Sequence, residues 1–138
     1  MSPPEKMTPH EALVRHLLGP LERYYDDPAV SEIMINGHDE IFIDGRHGIE
    51  RVEDRLTDAA ALRGLARVVL QFSGKRLSEF DLSLEARMPN GARVHIVQDP
   101  ASHSGLTMAI RQFAKTPPKL QRQIRLRKLL TVFPSLPT

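Results

Sequence analysis

Two arginines, Arg87 and Arg93, flank a predicted tight turn and are the best candidates for a binding site in this sequence. Apolar and polar residues alternate on both sides of Pro89–Gly91, as in the two strands of a β-hairpin. A three-residue loop at 89–91 places Arg87 opposite Arg93 on one face. Like charges directly across a strand pair repel, and an anion between them would relieve the repulsion, because guanidinium groups bind phosphate or carboxylate bidentately. The alternative is a pair of solvated arginines, one of them neutralised by Glu85.

A third arginine extends this candidate anion site. The segment 105–113 also alternates, and its outward-facing residues are predicted to be Thr107, Ala109 and Arg111. The polar faces of the last three predicted strands therefore share three arginines, Arg87, Arg93 and Arg111.

Motifs that carry catalysis are absent from the sequence. The segment Phe72–Arg76 contains Ser-Gly-Lys but lacks the leading glycine of a phosphate-binding loop, and no Gly-x-Gly-x-x-Gly occurs. The six histidines show no metal-ligand spacing, and His95 has no nucleophile or carboxylate pair converging with it. Acidic residues between Asp26 and Asp44 lack the spacing of a calcium loop and indicate a solvated edge. The residues give no positive indication of an enzyme, and we expect no cofactor and no metal.

Periodicity predicts the elements that must position the arginines. A helix from Thr8-Pro9 to Tyr25 is kinked at Gly19-Pro20, and a second helix opens at Thr57-Asp58 and ends at Gly74. Strands are predicted at 31–37, 40–45, 49–52, 82–88, 92–97 and 105–113. In the first strand of the hairpin, the residues predicted to face inward are Leu82, Leu84, Ala86 and Met88. This order predicts an α+β fold, with a mostly antiparallel sheet of about six strands and helices packed on one face.

Length and composition limit the class of protein to which the chain can belong. The chain of 138 residues has 41% hydrophobic and 26% charged residues, which is typical of one soluble globular domain. No apolar run is long enough for a membrane span, no signal peptide is evident, and there is no cysteine. We therefore expect a cytoplasmic protein.

The two ends of the chain are predicted to lie outside the domain. Residues 1–8 are proline-rich and predicted to be disordered, and the domain is predicted over 9–116. Residues 117–138 form a basic tail, in which 119–138 carries +5 while the rest of the chain carries −3. The segment 119–130 could form an amphipathic helix that binds a membrane surface, nucleic acid or a partner groove, or that packs on the domain. The pI of 9.2 reflects this tail and does not by itself favour nucleic acid.

Four strings of the sequence resemble one known family. They are Asp27-Pro-Ala-Val-Ser-Glu-Ile-Met-Ile-Asn-Gly37, Asp39-Glu-Ile-Phe-Ile43, Leu84-Glu-Ala-Arg-Met-Pro-Asn-Gly-Ala-Arg-Val-His95 and Thr107-Met-Ala-Ile-Arg-Gln-Phe113. In this order they resemble the N-terminal domain of bacterial type II and type IV secretion ATPases, in particular the CpaF/TadA branch of the superfamily that also contains VirB11. The resemblance covers roughly residues 12–116.

The resemblance implies a role for the three arginines. In this family the N-terminal domain forms one ring of a hexamer, an ATPase domain follows it, and arginines approach the nucleotide phosphates. The matching positions are Arg87, Arg93 and Arg111. Gln112 departs from the family, which usually has a basic residue there.

A second departure is that the chain ends where a linker and the phosphate-binding loop should follow. Without Walker motifs the chain should not hydrolyse ATP. This is expected either of a naturally truncated homologue or of an artificially shortened chain, and the unfamiliar tail favours natural truncation.

Three functional hypotheses remain open from the sequence. The first, carried by the resemblance, is a non-catalytic secretion or pilus-assembly module that oligomerises or regulates. Its partner would be a full-length secretion ATPase or another component of the machinery. The second is a free-standing module that senses phosphate or nucleotide. The third is an adaptor whose basic tail binds nucleic acid or a membrane, with any membrane contact indirect or through that tail.

Overall fold

A six-stranded antiparallel sheet with helices on one face forms the fold in the computed structural model, which describes residues 7–78, 82–98 and 105–112. The helices are α1 (Pro9–Leu18), a 3-10 turn (Gly19–Leu21), α2 (Glu22–Asp26) and α3 (Ala59–Phe72). The strands are β1 (Glu32–Ile35), β2 (Ile41–Gly45), β3 (Gly48–Val52), β4 (Ser83–Arg87), β5 (Arg93–Gln98) and β6 (Leu106–Arg111). The predicted α+β fold is confirmed.

The sheet consists of two meanders joined at its centre. Its strand order is β3-β2-β1-β6-β5-β4, so each half contains three strands that are consecutive in the chain. The halves are joined by antiparallel pairing of β1 with β6, in which Ile33 lies opposite Ile110. This pairing brings the acidic first half next to the arginine-bearing second half.

Local sequence signals set the ends of the helices. The Thr8 hydroxyl accepts a hydrogen bond from the Glu11 N–H at 3.1 Å, and the Asp58 carboxylate accepts one from the Ala61 N–H at 2.8 Å. Gly19 adopts a φ of 56° before Pro20, which separates α1 from the 3-10 turn and α2 as the predicted kink requires. Gly74, with a φ of 71°, follows the end of α3, and the Lys75 N–H closes the turn on the Leu70 carbonyl at 2.9 Å.

The core lies between the helices and the inner face of the sheet. The helices contribute a continuous set of buried side chains, namely Val14, Leu18, Leu21, Tyr25, Leu62, Leu65, Ala66, Val69 and Leu70. Facing them are buried strand residues from both halves, namely Ile33, Ile35, Ile41, Ile43, Val94, Ile96, Leu106, Met108 and Ile110. Because these residues alternate along each strand, the polar residues between them lie on the opposite, open face.

One inward assignment in the hairpin is wrong. Leu82 is 62% exposed, whereas Ala86 and Met88 are buried as predicted. Leu82 lies one residue before β4 begins, and β4 is an edge strand of the sheet. Of the segment 1–8 that is predicted to be disordered, residues 1–6 lie outside the described residues, as does the basic tail at 117–138. No helix within the described ranges has the length and apolarity to cross a bilayer.

Candidate anion-binding site

Arg87, Arg93 and Arg111 lie side by side on adjacent strands of the open face, and we call them the arginine row. Arg87 on β4 pairs with Arg93 on β5, which pairs in turn with Arg111 on β6. The Arg87–Arg93 register predicted from the turn is confirmed. With strands about 4.8 Å apart, the Cα atoms of the row span about 10 Å. The row continues into the other half of the sheet with Glu32 and then Asp44.

The turn between β4 and β5 fixes the first two arginines. The Met88 N–H donates to the Ala92 carbonyl and the Gly91 N–H donates to the Met88 carbonyl, both at 2.8 Å. Gly91 has a φ of 89°, which favours glycine. The Asn90 side-chain oxygen accepts from the Ala92 N–H at 2.8 Å, and the Asn90 N–H donates to the hydroxyl of buried Tyr25 at 3.3 Å. The turn is therefore held both internally and by the helix layer.

The end of α3 supports the outer edge of the arginine row. The Arg87 N–H donates to the Ser73 hydroxyl at 3.1 Å, and the Lys75 ammonium donates to the Glu85 carbonyl at 2.5 Å. Because the Arg87 N–H points away from β5, Arg87 and Arg93 form a non-hydrogen-bonded pair, the type in which opposite side chains are closest. The geometry therefore places two exposed arginine side chains at directly opposite positions at the edge of the sheet.

The charges of the row are only partly compensated. Arg111 contacts the Glu32 carboxylate at 3.8 Å, although the Arg111 side chain is 75% exposed. Within residues 7–78, 82–98 and 105–112, neither Arg87 nor Arg93 makes an ion pair, so Glu85 does not neutralise them there. Glu85 lies instead opposite His95 in the next row of the sheet. The arrangement leaves two exposed cations to attract an anion.

An open groove of about 860 Å³ runs along this surface. It contains the whole arginine row, His95 from β5, and residues from two other segments, namely Glu32 on β1 and Phe72 and Lys75 at the end of α3. Sequence reasoning did not assign Glu32, Phe72 or Lys75 to the site, because only the tertiary fold brings them beside the hairpin. The groove is therefore lined by hydrogen-bond donors for an anion, by the apolar ring of Phe72 and by the carboxylates of Glu32 and Glu85.

Other chemistry at this surface is limited. His95 Nε2 lies 2.6 Å from the Ser83 hydroxyl, and this contact across the hairpin was not predicted. Both side chains are exposed, and no carboxylate in the described ranges is hydrogen-bonded to His95. The described residues also contain no group of three histidines or carboxylates arranged to hold a metal ion.

Gln112, the departure from the family pattern, has a structural role beside the row. Its side chain is 8% exposed, and its Nε2 donates to the Tyr24 carbonyl at 3.0 Å and the Val30 carbonyl at 3.1 Å. Its backbone N–H donates to the Ser31 carbonyl at 2.9 Å. Gln112 therefore ties the end of β6, next to Arg111, to the segment that leads into β1.

Comparison with known proteins identifies related chains. The type IV secretion system protein VirB11 of Bartonella henselae is 30% identical over 102 residues, which are 73% of this chain and 29% of the relative. VirB11 of Brucella suis is 29% identical over 111 residues, which are 80% of this chain and 31% of the relative. The chain thus spans less than a third of the length of these curated relatives. No protein-family model matches the chain.

A solved structure agrees with these relatives. The crystal structure of the VirB11 ATPase from the Brucella suis type IV secretion system in complex with sulphate matches with a TM-score of 0.68 and 25% identity. The match covers 94% of this chain and 39% of that chain. The narrower placement in the CpaF/TadA branch stays a prediction. The predicted resemblance to the VirB11-like secretion ATPases is confirmed in both sequence and fold.

Proposed function

We propose that this chain is a non-catalytic, VirB11-like interaction module of a secretion or pilus-assembly machine. In this proposal its arginine row contacts the phosphates of a nucleotide held by a partner ATPase. The observation that carries the proposal is the side-by-side placement of Arg87 and Arg93, which have no ion-pair partner among the described residues. The relatives support the setting, because they are type IV secretion proteins.

The chemistry of the row fits a phosphate. Two guanidinium groups on neighbouring strands can each donate two hydrogen bonds to one tetrahedral anion, and Arg111 lies on the next strand to receive a second anionic group. The related Brucella VirB11 structure was obtained in complex with sulphate, a tetrahedral anion similar in charge and shape to a phosphate group. We therefore expect selectivity for tetrahedral and polyphosphate anions over carboxylates.

Because the arginine row is exposed to solvent, the chain without a partner should bind ATP only weakly. Charge-assisted hydrogen bonds contribute about 1.5–3 kcal/mol when shielded from water, but less on a solvated sheet face. We therefore expect about millimolar affinity for free ATP, equivalent to roughly 4 kcal/mol. Tight binding requires a second protein surface that closes over the phosphates.

Catalysis is assigned to the partner. The lysine and carboxylates that position phosphates and magnesium in this class of ATPase are absent from the sequence. We expect purified chain to show no magnesium-dependent ATP hydrolysis above background, and measurable turnover would refute this part of the proposal.

The test compares Arg93→Ala with Arg51→Ala, a matched arginine on the same open face in the other half of the sheet. Arg51 lies on β3, opposite Phe42. ATP binding is measured with and without a full-length secretion ATPase from the same organism. We expect Arg93→Ala to weaken binding and assembly by roughly tenfold, as for loss of one charge-assisted contact of about 1.4 kcal/mol, and Arg51→Ala to have no effect.

The outcomes distinguish the candidate functions. If Arg93→Ala changes neither ATP binding nor assembly with the ATPase, the arginine row has no role in phosphate contact. If wild-type chain binds ATP at micromolar concentration without a partner, the free-standing phosphate sensor replaces the interaction module.

A further inference from the structure

The open face of the sheet carries opposite charges on its two meanders, β1–β3 and β4–β6. Paired residues form rows that cross all six strands. One row contains the arginine row, and its members, in order from the β3 edge to the β4 edge, are Ile49, Asp44, Glu32, Arg111, Arg93 and Arg87. Both carboxylates of this row lie on the first meander, and all three guanidinium groups lie on the second.

The neighbouring row of the same face is apolar at its centre and charged at its ends. Its members, again from the β3 edge to the β4 edge, are Arg51, Phe42, Met34, Ala109, His95 and Glu85. Arg51 and Glu85 are exposed, whereas the three apolar residues are half-buried. No helix in the described part of the chain covers them, because the helices pack against the alternate strand residues on the other face.

A twofold axis can make this face complementary to itself. The strand order is β3-β2-β1-β6-β5-β4, so an axis parallel to the strands and between β1 and β6 places β1 of one copy over β6 of its partner. The same axis places β2 over β5 and β3 over β4. Sheets that pack face to face keep their strand directions within about 30° and lie about 10 Å apart, a gap that arginine and carboxylate side chains can bridge.

Under this axis, every charged residue of the two rows faces an opposite charge or an uncharged residue. The oppositely charged pairs are Glu32 with the partner's Arg111, Asp44 with the partner's Arg93, and Arg51 with the partner's Glu85. The other pairs are Met34 with the partner's Ala109, Phe42 with the partner's His95, and Ile49 with the partner's Arg87. Like charges do not meet in these rows, and the apolar centres of the two copies cover each other.

We propose that the open face binds a second copy of this chain, in a dimer built on this twofold axis. Such a contact uses the same patch on both copies and closes with two of them, whereas a ring requires a contact between two different patches. The dimer covers the arginine row and therefore competes with the phosphate contact proposed above. It does not depend on that contact, because it rests on the charges of both meanders.

The size of the face predicts a weak and reversible dimer. Six strands of about five residues cover roughly 29 Å by 17 Å, or about 500 Å² on each copy. A total of about 1,000 Å² is at the lower limit of specific interfaces, so we expect a Kd on the order of 100 µM at low salt. At low micromolar concentration the chain is therefore almost entirely monomeric, and Arg51→Ala remains a valid control for the phosphate contact.

Sedimentation equilibrium of the full chain, without nucleotide or ATPase, tests the dimer. We expect a monomer–dimer equilibrium at about 50 mM NaCl and a Kd at least about fivefold higher at about 500 mM NaCl, because salt screens exposed ion pairs. A chain that stays monomeric well above the expected Kd, or that assembles beyond a dimer, would refute the proposal.

Two charge reversals at opposite edges of the sheet test the alignment of the copies. Arg51→Glu and Glu85→Arg change exposed residues outside the arginine row. Each variant alone places two pairs of like charges in its dimer, so its Kd should rise about tenfold or more. When the two variants are mixed, both pairs become attractive again, and a mixed dimer should form with about the wild-type Kd. Arg63→Glu, an exposed reversal on α3 in the helix layer, is the control and should dimerise like the wild type.

The variants distinguish failure of the dimer from failure of the proposed function. If both reversals dimerise like the wild type, the copies meet through another surface and the proposal is refuted. If each variant is monomeric but the mixture does not associate, the twofold alignment is wrong and the proposal is again refuted. Neither result bears on the phosphate contact, which Arg93→Ala tests separately with ATP and the ATPase. Formation of the mixed dimer would also show that both variants fold.

Discussion

Replacing Gln112 with methionine tests whether its amide holds the end of β6 in place. Methionine is similarly long and unbranched but has no hydrogen-bond donor, so the substitution removes the two bonds from Nε2 to Tyr24 and Val30 with little change in volume. The backbone hydrogen bond from Gln112 to Ser31 remains.

Losing the hydrogen bond from Gln112 costs more at the Val30 carbonyl than at the Tyr24 carbonyl. The Tyr24 carbonyl keeps a second donor, the Asp27 N–H at 3.2 Å, whereas the bond to the Val30 carbonyl is buried. An unsatisfied buried carbonyl costs about 1–3 kcal/mol, and the loss at Tyr24 adds about 0.5–1 kcal/mol. Improved burial of the apolar methionine offsets part of this, so we expect the free energy of unfolding to fall by about 2 kcal/mol.

Urea denaturation measures the change. With a slope of about 2 kcal/mol per molar, a loss of this size lowers the unfolding midpoint by about 1 M. Gln71→Met, at an exposed position on α3, is the matched control and should leave the midpoint unchanged. If Gln112→Met unfolds at the wild-type urea concentration, the amide contributes no net stability and the positioning role of Gln112 is refuted.

Two further predictions concern the helix layer. Burial raises the pKa of Tyr25 to about 12, so an ultraviolet titration of Tyr24→Phe, which reports Tyr25 alone, should show that midpoint; an ordinary value of about 10 would contradict it. Because the unfolded chain ionises first, the stability of Tyr24→Phe should fall as the pH rises from about 10 to 12, and adding Tyr25→Phe should remove this contribution. Asp58→Ala removes the N-cap of α3 and should cost about 1 kcal/mol by urea denaturation, whereas Thr57→Ala, exposed and adjacent, should cost nothing measurable; equal effects would exclude capping as the cause.

Local signals in the sequence were sufficient for the elements and for the Arg87–Arg93 pair. Alternation with a period of two identifies each strand from its own residues, and a three-residue loop determines the register of the hairpin it closes. The caps at Thr8 and Asp58 and the stop near Gly74 are likewise set by side chains within a few residues.

The rest of the site depends on long-range packing. Alternation placed Arg111 on the same face as the hairpin arginines, but not in the same row, because the β5–β6 register is not determined by a tight turn. The strand order was not predicted, since no local pattern specifies that β6 pairs with β1. Without that order, Glu32 could not be identified as the partner of Arg111, and Phe72 could not be placed in the lining of the groove.

The joining of the two meanders through β1 and β6 has a consequence for cooperativity. Pairs within each meander connect segments close in the chain, whereas Ile33 and Ile110 are brought together across most of the domain. Pairing β1 with β6 closes a longer loop than any hairpin does, so its entropic cost is larger. Burial of the complete core offsets this cost. Arg87 and Arg93 are thus coupled by a local hairpin, but Arg111 meets Glu32 only when both halves of the sheet are joined. The Arg111–Glu32 contact therefore forms only in the completely folded domain. If β1 separated from β6, Arg111 would lose its carboxylate partner and become a third uncompensated cation beside Arg87 and Arg93.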